Sequence, residues 1–386
     1  MSSYYRGLKC SKCGLFLEPS EKMTYLCPDC GGIMETQYEY DKEFVERLKA
    51  GKFDAADVLP IQKESYVEIG QGNTPMVDAT RLSAQYGISL KMKSEFLNPT
   101  GSFKDRPVSS GISWAKEHGY KRVVIASSGN GAAATAALAA KTGMEALIYV
   151  PESTPDEKVM HTMVCGGTVV RVPGPFSNSY DEALRDGAEN GVCNLATTFL
   201  NPFTIDGDKV VAYEIYLQAG VPDAIYVPIG TGPLLVGILR GFEELMALGL
   251  IDRIPKMVGV QATGCSPMAQ AFEKGIREVT GEPNPVTIAG GICDGLTGHE
   301  QDGTFTLDAI FRSNGICTAV TDEEIQAAQN ELARTEGLFV EPSSAAGIAA
   351  IKKTAVQLVG EGGTVVTLLT GHGLKDMKNV VIMKGE

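Results

Sequence analysis

The stretch RVVIASSGNGAAATAALAA, residues 122–140, ends a strand and opens a helix within a few residues. Residues 122–127 are β-branched and apolar, which suits a strand, and residues 131–142 are alanine-rich, which suits a helix. Ser127, Ser128, Gly129 and Asn130 form the polar turn between them. A continuously apolar strand feeding a helix is the building unit of a parallel sheet covered on both faces. The pattern continues along the chain. Strands are expected at 145–151, 167–173, 223–230, 257–263 and 364–371, and helices at 107–118, 155–165, 178–190, 206–219, 234–248 and 322–336. Thr321 with Glu324 makes a capping box for the last of these. The expected fold class is α/β with open parallel sheets.

A chain of 386 residues is long enough for roughly two to three domains. Its 44% hydrophobic content is ordinary for a globular protein. The net charge of −13, from 47 acidic and 34 basic side chains, argues against nucleic acid as a partner, because phosphate backbones are bound through excess Lys and Arg. No apolar stretch reaches the roughly 18 residues that cross a bilayer. The start MSSYYRGLKCSKCG lacks a basic-then-apolar leader, so a cytoplasmic location without membrane partners is expected.

Four of the nine cysteines, Cys10, Cys13, Cys27 and Cys30, form two C-x2-C pairs, with Gly14 after the first and Gly31-Gly32 after the second. Each pair can point two sulfurs at one ion, and four thiolates satisfy tetrahedral Zn2+ without an open position. A structural zinc ribbon over residues 1–40 is expected. The other five cysteines show no repeated spacing and read as free thiols.

In open α/β sheets, ligands collect beyond the carboxyl ends of strands. Three such loops stand out. The turn at 127–130 places helix-start amides where an anion such as a carboxylate binds. Gly230-Thr231-Gly232 precedes Pro233, so glycines let backbone approach a phosphate and Pro sits where no N–H is needed. The run LLTGHGLKD, 368–376, sets Thr370 at a strand end beside Gly371 and Gly373. His372 is one of only four histidines, and rarity alone assigns it no catalysis. A fourth stretch, NPTGSFKDRP at 98–107, places Lys104 inside a turn after an aromatic residue. An isolated lysine is by default a surface residue. One beside two anion cradles and a strand-end hydroxyl is not isolated.

These stretches, with GNTPM (72–76), NPFTIDGDKVVAYEI (201–215) and EPSSAA (341–346), resemble the fold-type II pyridoxal-phosphate enzymes of the tryptophan synthase beta superfamily. Among those the chain is similar to the threonine synthases, in family order over roughly residues 60–380, and many of them carry a four-cysteine ribbon too. The resemblance implies two open parallel-sheet three-layer domains plus the ribbon, and commonly a homodimer. The domains would be 41–95 with 205–386 as the large cofactor-binding unit and 96–204 as a smaller inserted one. It implies that Lys104 binds pyridoxal phosphate covalently and, once freed, takes the substrate α-proton. Asn130 would bond the cofactor phenolic oxygen, the amides of Gly230, Thr231 and Gly232 its phosphate, and Thr370 its ring nitrogen. Thr100, Ser127 and Ser128 would lie near the carboxylate of a small amino-acid substrate.

The implied reaction converts O-phospho-L-homoserine and water to L-threonine and phosphate. One segment departs from the family pattern: Thr198, Phe199 and Thr204 stand where relatives usually hold the leaving phosphate with Asn, Ser and Arg. Losing a bidentate Arg weakens recognition of a dianion. Lys209 and Lys158 are the candidate replacements. An amino-acid ammonia-lyase of the threonine or serine dehydratase type, or a β-replacement enzyme, therefore stays open as the alternative. A non-catalytic zinc-ribbon binding protein is the reading from a different class, and the acidic balance and the intact Lys104 speak against it.

Overall fold

The computed structural model describes residues 4–188, 191–380 and 382. The last two residues of the helix expected at 178–190, and most of the C-terminal end of the expected large domain after 380, lie outside the described residues. The chain opens with β1 (Tyr5–Cys10), β2 (Phe16–Leu17), β3 (Met34–Tyr38) and α1 (Lys42–Lys49). There follow β4 (Met76–Asp78), α2 (Thr80–Tyr86), β5 (Ser89–Lys93) and α3 (Asp105–Glu117). Next come β6 (Arg122–Ala126), α4 (Asn130–Thr142), β7 (Glu145–Pro151), α5 (Asp156–Val164), β8 (Thr168–Val172), α6 (Phe176–Ala188), β9 (Val192–Asn194) and α7 (Pro202–Ala219). The last part holds β10 (Ala224–Pro228), α8 (Pro233–Ala247), β11 (Lys256–Ala262), α9 (Pro267–Glu273) and α10 (Glu300–Arg312). It ends with β12 (Ile316–Val320), α11 (Asp322–Thr335), α12 (Pro342–Val359) and β13 (Thr364–Leu368).

By internal contact the chain divides into two units, 1–72 with 104–210 and 73–103 with 211–386. The first unit holds two sheets. β2-β1-β3 is a small antiparallel ribbon. β8-β7-β6-β9 is parallel throughout. Alternation along β6 explains why that sheet is covered twice: Val123 and Ile125 pack with Ala132 and Leu138 of α4 and Ile112 of α3, while Val124 packs with Ala183 of α6. Each such buried Val, Ile or Leu contributes about 1.5–3 kcal/mol. The second unit holds the six-stranded sheet β12-β11-β10-β13-β5-β4, parallel except for the antiparallel β4–β5 pair at its edge. The α/β class with two open, mainly parallel sheets and a small N-terminal four-cysteine module is therefore observed.

The contact division groups residues 41–72 with the first unit, whereas the sequence grouping joined 41–95 to the large domain. Aromatic packing accounts for it. Phe44 of α1 stacks on Tyr40 at 4.4 Å and tilts against Tyr4 at 5.4 Å, and Val67 joins the α3–α4 core. Residues 96–103, expected in the inserted domain, fall with the second unit. Their backbone is held there by Phe96 N donating to Leu369 O and Phe103 N to Thr370 O. The Thr321–Glu324 capping box forms in both directions, at 3.2 and 2.8 Å. Among the described residues no helix is long and apolar enough to cross a membrane.

Candidate active site

In the first unit, Lys104 is the N-cap of α3 and is half-buried. The next two residues, Asp105 and Arg106, are buried, so the helix start is anchored in the unit rather than splayed into solvent. The Lys104 amine donates to Thr197 Oγ1 at 2.7 Å. Thr197 follows β9 and was not singled out in the sequence, because nothing in a lone Thr announces a partner 93 positions away. The surface reading of Lys104 fails here.

The turn after β6 behaves as its composition suggests. Gly129 is the N-cap of α4, and no side chain caps that helix start. A helix of 13 residues with an uncapped start leaves its first N–H groups without intrahelical partners. Ser127 Oγ accepts from Gly129 N at 3.3 Å, and Ser128 and Asn130 are half-buried beside it. A Cβ at Gly131 would meet Ile125 at 3.2 Å and Ser127 Oγ at 3.3 Å, so α4 packs closely on the strand end.

In the second unit, β10 leads through Gly230 and Thr231 to Gly232, the N-cap of α8, with Pro233 in the first helical turn. Gly232 has φ +104°, a conformation that glycine alone adopts readily. A Cβ there would also overlap the side chain of Thr306 on α10. Thr306 Oγ1 donates to Thr231 O at 2.7 Å, which fixes the carbonyl side of the loop. Again no side chain caps the helix start. The arrangement is an anion cradle of backbone amides. It fits a phosphate group.

Thr370 follows β13 and is 6% exposed. Its carbonyl accepts from Phe103 N at 3.0 Å, and its hydroxyl lies 2.9 Å from Ser344 Oγ at the start of α12. Thr100 is buried and its carbonyl accepts from Lys375 Nζ at 2.7 Å. Asn98 Nδ2 donates to Glu95 Oε2 at 2.9 Å, which shapes the turn, and Gly101 takes φ +83° within it. His372 uses Nδ1 to accept from Leu374 N at 3.2 Å and packs edge-on against Phe96. It shapes a turn.

The departing segment is turned inward. Phe199 is fully buried, and Thr204 Oγ1 donates to Asn201 O at 2.9 Å, so neither offers a cation or a free donor. Lys209 does not replace the missing Arg: it is fully buried, 3.6 Å from Asp206 and 3.6 Å from the Tyr38 ring centroid. Asp206 in turn accepts from Thr36 Oγ1 at 2.8 Å and Tyr38 OH at 2.7 Å. The pair thus ties α7 to β3. Lys158 is exposed on α5.

The four N-terminal cysteines come together with all sulfurs within 4.8 Å of one another. Cys10 and Cys30 lie 3.5 Å apart and Cys13 and Cys27 3.6 Å. Sulfurs about 2.3 Å from one tetrahedral Zn2+ would be separated by about 3.8 Å. Burial raises the Cys10 thiol, while the N–H groups of Cys13 and Lys12 and the thiols of Cys30 and Cys13 bring it down to about 6; against the Leu15 N–H, the Cys30 and Cys10 thiols push Cys13 up to about 12. A Cβ at Gly32 would meet Cys10 Sγ at 2.9 Å, so only glycine fits beside the cluster. The donor set suits a closed zinc site.

A lysine at a helix start, an amide cradle without G-K-[ST], and a buried hydroxyl just past a strand end define a class. Residues 67–371 match the family model described as pyridoxal-phosphate dependent enzyme, and the chain belongs to that family. It is 38% identical to the threonine synthase of Methanocaldococcus jannaschii, over 95% of this chain and 92% of that one. It is 37% identical to the threonine synthase of Methanosarcina acetivorans, over 97% and 93%. Among solved structures it is similar to maize serine racemase, with TM-score 0.69 and 25% identity over 80% of this chain and 91% of that one. It shares the fold of threonine deaminase isoform 2 from Solanum lycopersicum, with TM-score 0.70 and 21% identity over 94% and 97%.

Proposed function

We propose that this chain is a threonine synthase, which converts O-phospho-L-homoserine and water to L-threonine and phosphate. The observation that carries this reading is the 38% identity to a threonine synthase over nearly the full length of both chains. When bound, pyridoxal phosphate condenses with an amine and draws electrons from the substrate α-carbon. Lys104 would supply that amine, and its Nζ would take the α-proton. Thr197 Oγ1, its hydrogen-bond partner, keeps Nζ from wandering. The amides of Gly230, Thr231 and Gly232 hold the cofactor phosphate, Asn130 its phenolic oxygen, and Thr370 its ring nitrogen. Thr100, Ser127, Ser128 and the start of α4 hold the substrate carboxylate, which a helix N-terminus favours by its dipole.

Cys10, Cys13, Cys27 and Cys30 hold a structural Zn2+ in this reading. Its role is to fold the ribbon, since four thiolates leave no position for substrate. The working form is a cytoplasmic homodimer acting on a small amino acid, without nucleic acid or membrane.

A second reading is favoured by the buried Phe199 and the backbone-bonded Thr204, which offer no cation to a leaving phosphate. It is an ammonia-lyase of the threonine or serine dehydratase type, or a β-replacement enzyme. One assay separates them. Release of phosphate with threonine from O-phosphohomoserine supports the synthase. No phosphate, with keto acid and ammonia formed from threonine or serine, supports the lyase.

A further inference from the structure

Ser344 is fully buried at the start of α12, and the proposed reaction gives it no role. A serine hydroxyl has one proton to donate and two lone pairs. Gly371 N donates to Ser344 Oγ at 2.8 Å, which occupies one lone pair. Two acceptors compete for the Ser344 proton: Thr370 Oγ1 at 2.9 Å and Gly371 O at 3.2 Å. The Gly371 carbonyl already accepts from Glu341 N at 2.9 Å. That carbonyl keeps a second lone pair, so it is the shorter distance that favours Thr370 as the acceptor.

The direction of that bond decides what Thr370 presents to a ligand. If Ser344 donates to Thr370, the Thr370 proton must point elsewhere and the residue faces the ligand as a donor. If Thr370 donated to Ser344, only its lone pair would face the ligand. A donor matches a ring nitrogen that carries no proton, and a bare acceptor matches one that does. We propose that Ser344 is a positioning residue that holds the Thr370 hydroxyl as a hydrogen-bond donor toward an unprotonated ring nitrogen. The inference rests on the reading of Thr370 as the partner of the cofactor ring nitrogen. The relay from Gly371 N through Ser344 to Thr370 is polarised in one direction, which strengthens its last member.

The test uses holoenzyme loaded with cofactor labelled with 15N in the ring, and follows the 15N resonance against pH. Thr370→Val examines the parent reading: a resonance and midpoint identical to wild type would show that Thr370 does not face the nitrogen and would overturn both. With that reading intact, Ser344→Ala should raise the proton affinity of the ring nitrogen by up to about tenfold, one pH unit, the loss of one modest hydrogen bond. The double variant should match Thr370→Val alone, because Ser344 acts only through Thr370. A wild-type midpoint in Ser344→Ala, or a further shift in the double variant, would overturn the proposal. Where Ser344→Ala does not fold, Ser344→Cys is read in its place. Its weak donor should raise the midpoint in the same direction, and an unmoved midpoint overturns the proposal equally.

Discussion

Replacing Gly232 by alanine places two loads on one residue. The backbone there has φ +104°, where an L side chain costs about 1–2 kcal/mol. The new Cβ would also overlap Thr306, a fully buried residue that cannot swing aside without giving up its bond to Thr231 O. Overpacking of that kind costs about 1–3 kcal/mol, so the loop is strained by about 2–5 kcal/mol in all. Relief requires the loop to move by about 1 Å, and misplacement on that scale costs on the order of 10²-fold in a positioned site. Apoprotein of wild type and Gly232→Ala is titrated with pyridoxal phosphate by absorbance, beside urea unfolding of each. Gly290→Ala, at an exposed glycine with nothing within 4 Å and no positive φ, is the control and should bind like wild type. The variant should bind about 10²-fold more weakly. Unchanged affinity with lowered stability would show that the loop is strained but does not hold the phosphate. Unchanged affinity and unchanged stability would refute the conformational argument itself.

Three further outcomes concern paired side chains of the second unit. Lys93 is fully buried and donates to Glu214 Oε2 at 2.6 Å, Thr74 O at 2.7 Å and Gln218 Oε1 at 3.0 Å. Lys93→Met strands the Glu214 charge and should cost about 3–5 kcal/mol by urea unfolding, and a loss near zero would contradict the buried pair. The hydrogen bond from His299 to Asp294, at 3.0 Å, raises the imidazole pKa against the opposing effect of burial. A raised folded value means that its stabilisation is full below the unfolded value of about 6.5 and fades as pH rises through the folded one. The stability gap between wild type and His299→Gln should therefore be widest in acid and close in alkali, and the opposite trend would reject the pairing. A hydrogen bond from Cys265 outweighs burial and, with the Thr287 N–H, lowers the Cys293 thiol to about 7. Alkylation of Cys293 should reach half its maximal rate near that pH, and a midpoint at the ordinary value of about 8.5 would contradict it.

The parts of the fold that were legible in the sequence are those whose signal is local. β7 spans Glu145–Pro151 as its apolar run suggests, and the ribbon follows from cysteine spacing. α12 is alanine-rich and buried on most sides, which leaves no amphipathic stripe to read. β5, SLKMK, is hidden for the opposite reason: Lys93 looks like a surface residue, and acceptors led by Glu214, 121 positions away, make its burial tolerable. At the site, Lys104, the 230–232 loop and the 127–130 turn announce themselves through glycine and motif. Thr197 and Ser344 do not, since each acts through a neighbour that the fold brings from 93 or 26 residues away. The inward turn of Phe199 and Thr204 was also invisible, because which side chains fill a core is settled by packing and not by spacing.

The account depends above all on the Lys104 amine as the group that binds the cofactor. Holoenzyme reduced with borohydride, digested and analysed by mass spectrometry should carry one pyridoxyl group, on the peptide that contains Lys104. A pyridoxyl group on another lysine, or none on a preparation that holds cofactor, would contradict it.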